Sequence, residues 1–100
     1  MNENMVKNEA NAIEYVEIKV KSWYSTNDKL FFVQVKVCLP VVGDSIAVIS
    51  AGKNMQEMME KLRHDYSNYV YGFNMAMAIT GGKYRLKYPT EDDSFIGFIK

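Results

Sequence analysis

"NMQEMMEKLRHDYSNYVYGF", Asn54 to Phe73, separates its side chains into one apolar and one polar series. Met55, Met58, Met59, Leu62, Tyr66, Tyr69, Val70 and Phe73 follow the i, i+3, i+4, i+7 spacing of a single helix face. Gln56, Glu57, Glu60, Lys61, His64, Asp65 and Asn68 fall on the opposite face. The pattern predicts an amphipathic helix from about Asn54 to Tyr71. Asn54 suits the N-cap with Glu57 three residues on, Glu57 and Lys61 form a favourable i,i+4 pair, and Gly72 suits the residue past the end. Such a stripe must be buried against another apolar surface, and the preceding residues supply one.

From Ile13 to Tyr24 the chain alternates, with Val16, Ile18 and Val20 on one face and Tyr15, Glu17, Lys19, Lys21 and Trp23 on the other. Ser25 to Lys29 is turn chemistry, because Asn and Asp side chains bond their own backbone. Leu30 to Leu39 then places Phe31, Val33, Val35, Val37 and Leu39 inward and Phe32, Gln34, Lys36 and Cys38 outward. Pro40 lacks the N–H a ladder needs and ends this strand, and Gly43-Asp44 supplies a turn. Ser45 to Ala51 lacks clean alternation and reads as a third strand covered on both sides or nearly so.

Beyond the helix, Asn74 to Thr80 alternates Met75, Met77 and Ile79 with smaller residues. Gly81-Gly82 permits the positive φ of a hairpin turn, with Lys83 to Tyr88 as the return strand. On that strand Lys83, Arg85 and Lys87 share one face, and Tyr84, Leu86 and Tyr88 the other. Pro89 to Ser94 reads as a turn, and Phe95 to Ile99 as a short last strand or an apolar tail. The expected order is βββαββ or βββαβββ. It implies an α+β two-layer sandwich, a mainly antiparallel sheet with one face on a single long helix. One helix cannot cover every strand, so part of the sheet is left for solvent, another chain or a ligand.

The 100 residues, 48% of them hydrophobic, suffice for one domain with a real core. Residues 1–12 are polar and read as a flexible arm, leaving 13–100 as the domain. Twelve basic residues balance twelve acidic ones, so net charge supplies no long-range pull toward a polyanion. A lone Cys38 fits a reducing compartment. The N-terminal residues lack a signal-peptide pattern and no window is apolar enough to span a bilayer, so the expected location is cytoplasmic.

Catalytic and metal chemistry find little footing. His64, the only histidine, lies on the polar helix face between Arg63 and Asp65 without a zinc-ligand partner in sequence, and Cys38 has no cation or helix start placed to lower its pKa. Glu91-Asp92-Asp93 lacks calcium-loop spacing, and neither the dinucleotide fingerprint nor the phosphate loop is present. The expectation is a non-enzyme with no catalytic, metal or cofactor residues. Recognition falls instead to an outer sheet face carrying Tyr15, Lys19, Lys21, Trp23, Phe32 and Lys36, joined by the basic residues Lys83, Arg85 and Lys87.

Residues 31–70 resemble the N-terminal domain of HicB-type antitoxins. The shared features are a hairpin, a Leu-Pro near the end of its second strand (Leu39-Pro40), a third strand, and a Gly-x-x-x-x-Glu lead into an amphipathic helix (Gly52 to Glu57). That family's Pro-Gly-Cys is absent after Pro40. The resemblance implies a protein that binds and blocks a partner, which in that family is a toxic ribonuclease. The same stretch is similar to the βββα part of double-stranded-RNA-binding domains. Here, however, Lys53 is followed by Asn54, Met55, Gln56 and Glu57, and the basic start of the family's last helix is missing.

The reading that joins these observations is a small binding protein that recognises or inhibits a macromolecular partner, as antitoxins and phage-encoded inhibitors do, with room for a homodimer. The alternative is a nucleic-acid-binding module using Lys19, Lys21, Lys36, Lys83, Arg85 and Lys87 with Trp23 and Phe32.

Overall fold

The computed structural model describes residues 13–89. The expected N-terminal arm, the end of the Pro89–Ser94 turn and the Phe95–Ile99 segment lie outside the described residues. The elements run β1 (Glu14–Tyr15), β2 (Glu17–Ser25), β3 (Leu30–Leu39), β4 (Gly43–Gly52), α1 (Met55–Thr80) and β5 (Tyr84–Arg85). Strands β2, β3 and β4 form an antiparallel sheet in that order, and β1 pairs in parallel with β5.

The β2–β3 hairpin closes where the sequence predicts, with Ser25 opposite Leu30. Asp28 N–H donates to Ser25 Oγ at 3.2 Å and Lys29 N–H to Ser25 O at 2.7 Å. Lys29 takes φ 58°, the positive φ that completes this turn. Parity then sorts the faces. Val33, Val35 and Val37 are buried, with Val16, Ile18, Val20 and Phe31 packed beside them. Against this surface α1 lays Met58, Leu62, Tyr66 and Val70, and Val48 and Leu86 complete the core.

At the start of α1 the sequence signals hold. Asn54 Oδ1 accepts from Glu57 N–H at 2.8 Å, satisfying one of the orphan donors of the first turn. Met55 nevertheless stays exposed, one turn short of the covered region. Gly52, the glycine of the lead into the helix, is buried at the end of β4. A Cβ there would stand 2.4 Å from the Met58 backbone nitrogen, so the strand end and the helix start share space only a hydrogen can occupy. Asp65, assigned to the polar face, is half-buried and accepts from Ser50 Oγ at 2.8 Å, tying the helix to β4.

Two expectations for strands are corrected. Asn74 to Thr80 is not a strand: α1 continues through it, so among the described residues the helix is followed by one short strand rather than a hairpin. Met and Ala are good helix formers, and the Gly-Gly pair stops a helix as readily as it turns a hairpin. Gly81 sits at φ 77°, and Gly82 N–H donates to Met77 O at 2.8 Å, the Schellman arrangement that satisfies a terminal carbonyl. The return segment pairs with Glu14-Tyr15: Glu14 N–H donates to Lys83 O and Val16 N–H to Arg85 O, each at 2.9 Å.

The second correction concerns β4, which is covered on one face only. Its register slips between Val35 and Lys36, where Val48 faces Val35 but Ile46 faces Lys36, leaving Ala47 as the extra residue of a β-bulge. The bulge resets parity. Val48 and Ser50 point into the core while Ile46 and Ile49 point out, 55% and 52% exposed.

Candidate functional site

The face of the sheet turned away from α1 is built in rungs across the three strands. Trp23, Phe32 and Ala51 form one rung, then Lys21, Gln34 and Ile49, then Lys19, Lys36 and Ile46, and last Glu17, Cys38 and Asp44. Trp23 and Phe32 stack with centroids 5.5 Å apart and planes 11° from parallel. The Lys21 ammonium sits 5.6 Å from the Trp23 ring centroid, within cation–π range. The bulge adds what the sequence reading omits, since Ile46 and Ile49 extend the apolar surface along β4.

The third rung sets Lys19 directly opposite Lys36, an unfavourable like-charge pair. Asp44 offsets it from the last rung, with Lys19 Nζ 3.0 Å from Asp44 Oδ2. The hydrogen bond from Lys19 holds the Asp44 carboxyl below its ordinary range, helped by a second from Cys38, and the same contact holds the Lys19 ammonium above its own. Desolvation, followed by the bond to Asp44, pushes the Cys38 thiol up. A thiol so placed is a poor nucleophile near neutrality. Three lysines against Glu17 and Asp44 leave this face with one net positive charge.

At the end of the sheet near this last rung, the Pro40–Gly43 connection carries a feature no sequence motif announces. Val42 N–H donates to Pro40 O at 2.8 Å, which closes a three-residue turn with Val41 at φ 75°. A β-branched residue at positive φ is strained, and both Val41 and Val42 are exposed.

The remaining expected residues gather elsewhere. Lys83 lies 3.6 Å from Glu14 Oε2, and Lys87 sits over the Tyr15 ring at 5.3 Å. Arg85 is half-buried and spends its guanidinium on nearby carbonyls, those of Gly82 and Tyr84, both at 2.8 Å. The structure therefore brings together Lys19, Lys21, Trp23, Phe32 and Lys36 on the sheet face, and Tyr15, Lys83, Arg85 and Lys87 around the β1–β5 pair. Tyr84 and Leu86 turn toward the body of the protein, but Tyr88 stays exposed.

His64 is exposed, 3.4 Å from Asn68 Nδ2. Among the described residues no three His, Cys, Asp or Glu side chains converge on a metal-sized space, and no helix is long and apolar enough to cross a membrane. No family model matches this chain, and no curated protein or solved structure matches it either.

Proposed function

We propose that this chain is a small non-enzymatic binding protein of the cytoplasm that recognises or inhibits a macromolecular partner through the open face of its sheet. The observation that carries the reading is the combination of stacked Trp23 and Phe32 with exposed Ile46 and Ile49, bordered by Lys19, Lys21 and Lys36. An aromatic anchor with aliphatic neighbours and a charged rim is the composition of a protein-recognition surface. The antitoxin resemblance across Leu39-Pro40 and Gly52 to Glu57 supports the same class, and phage-encoded inhibitors of host enzymes are its other natural setting. Exposed Ile46 and Ile49 favour a protein over a nucleic acid, because aliphatic side chains offer bases no stacking platform.

Affinity capture from the cells that encode the chain tests this reading when wild type is run beside a Trp23→Ala/Ile49→Glu variant. A saturable partner retained by wild type and lost from the variant supports it. Capture that ignores the double substitution, or salt-sensitive retention of oligonucleotides at ~50 mM salt, overturns it in favour of another surface or of nucleic acid.

A further inference from the structure

The 17 residues from Tyr66 to Gly82 contain no charged side chain, although 24% of the chain is charged. Val70 is the last buried residue of α1, and about 15 Å of helix, ten residues at 1.5 Å each, continues beyond it, with Phe73 still packed at the core's edge. On this extension Tyr71, Met75 and Ile79 stand at i, i+4 and i+8 and are 59%, 44% and 78% exposed. Beside them a groove of about 680 Å³ opens toward Tyr15, Leu86 and Tyr88, with the basic Arg85 and Lys87 on its far side from the helix. Gly72 lies on the same stretch, mid-helix, with nothing among the described residues within 4 Å of a Cβ built on it. Glycine there weakens the helix, and no neighbour among the described residues requires it.

We infer that this half of α1 is the self-association face of the protein, pairing antiparallel with the same helix of a second copy about a two-fold axis at Met75. Three relationships select a second copy over an unlike partner. A two-fold through Met75 sets Tyr71 opposite Ile79 of the second copy and Met75 against Met75, so each large side chain meets another. Such an axis also brings each residue close to it beside its own duplicate, which disfavours charges on the helix stripe at the axis, and that stripe has none; Arg85 and Lys87 belong to the returning chain instead. Finally, exposed apolar side chains here and along the groove total on the order of 600 Å² per copy, approaching the ~800 Å² per partner of a standard interface. Gly72 lets the second backbone come close. The inference is independent of the open sheet face, and either can fail alone.

Analytical ultracentrifugation of the full chain at about 200 µM, where a ~10 µM dimer is largely assembled, decides it. Wild type is expected at twice the 11.5 kDa chain mass. Ile79→Glu and Gly72→Leu should each weaken association at least about tenfold with helical circular dichroism retained. Gly72→Leu raises helix propensity, so its effect is not a folding defect. In a Cys38→Ser background, Met75→Cys should form an inter-chain disulfide on air oxidation and Gln56→Cys should not. A monomer at this concentration, whatever else covers the stripe, overturns the inference. So does a dimer that ignores both substitutions or cross-links equally at positions 56 and 75.

Discussion

Asn74 treats Leu86 as a neighbouring strand would. Its Nδ2 donates to Leu86 O at 3.0 Å and its Oδ1 accepts from Leu86 N–H at 2.9 Å, so one side-chain amide satisfies both backbone groups of a residue only 2% exposed. Helix and returning chain are joined there without a ladder. Asn74→Leu strands a buried N–H and C=O and should lower stability by about 2–4 kcal/mol, whereas Asn68→Leu on the exposed face should change it by under about 0.5. Urea denaturation measures both, and equal midpoints would show that the contact holds nothing.

Gly52 and Gly72 should respond oppositely to alanine. At Gly52 the added methyl meets helix backbone, which cannot give, and stability should fall by about 2 kcal/mol or more. At Gly72 the space is open among the described residues, and the protomer should gain about 0.5–1 kcal/mol from helix propensity. Thermal melts at low protein concentration separate the two signs.

Leu62 and Ile49 are both aliphatic, but only Leu62 is wholly buried. Leu62→Ala should cost about 2–5 kcal/mol through lost transfer energy and a residual cavity. Ile49→Ala should stay within about 0.5 kcal/mol. A large effect of Ile49→Ala on folding would mean that the open face is covered within the protomer.

The Lys19–Asp44–Cys38 cluster fixes a pH response. Asp44 has a lowered folded pKa, so whatever stability its ionised form contributes is complete above the unfolded value and is lost as pH falls through the folded one. Lys19→Ala should move the Asp44 titration, followed by carboxyl-carbon NMR, back up toward its ordinary position. Asp44→Asn removes a cause that raises the Cys38 thiol and should speed its alkylation at about pH 8.5. An alkylation rate unchanged by Asp44→Asn would detach the thiol from the carboxylate.

Val41 tests stored strain. Val41→Gly should stabilise the fold by about 1 kcal/mol, because φ 75° suits glycine and not a β-branched residue. A destabilised variant in chemical denaturation would show that the valine side chain makes up for its backbone.

Sequence periodicity conveyed β2, β3 and the start of α1 because each obeys one rule over many residues. Where two rules overlap, it misled. Asn74 to Thr80 alternates Met and Ala, but the same residues also keep helical spacing, with Tyr71, Met75 and Ile79 at i, i+4 and i+8, and Gly81-Gly82 serves either outcome. In β4 a single added residue, Ala47, reverses parity and hides the outward isoleucines. Outer-face Trp23, Phe32 and Lys36 were legible from parity alone. The turn of Arg85 onto nearby carbonyls depends on local backbone path, which no pattern of residue types encodes.

The bulge at Ala47 has a consequence for solubility. A three-stranded sheet ends in two strand edges, each a template for unwanted pairing with other chains. β2 defends its edge with Glu17, Lys19 and Lys21, whereas β4 has a single charge, Asp44, and depends on the kink and added twist at Ala47 to spoil the flat ladder a stray strand would need. Deleting Ala47 would straighten that edge beside exposed Ile46 and Ile49. The one residue that interrupts the ladder is thus also the one that keeps the outward isoleucines from seeding fibres.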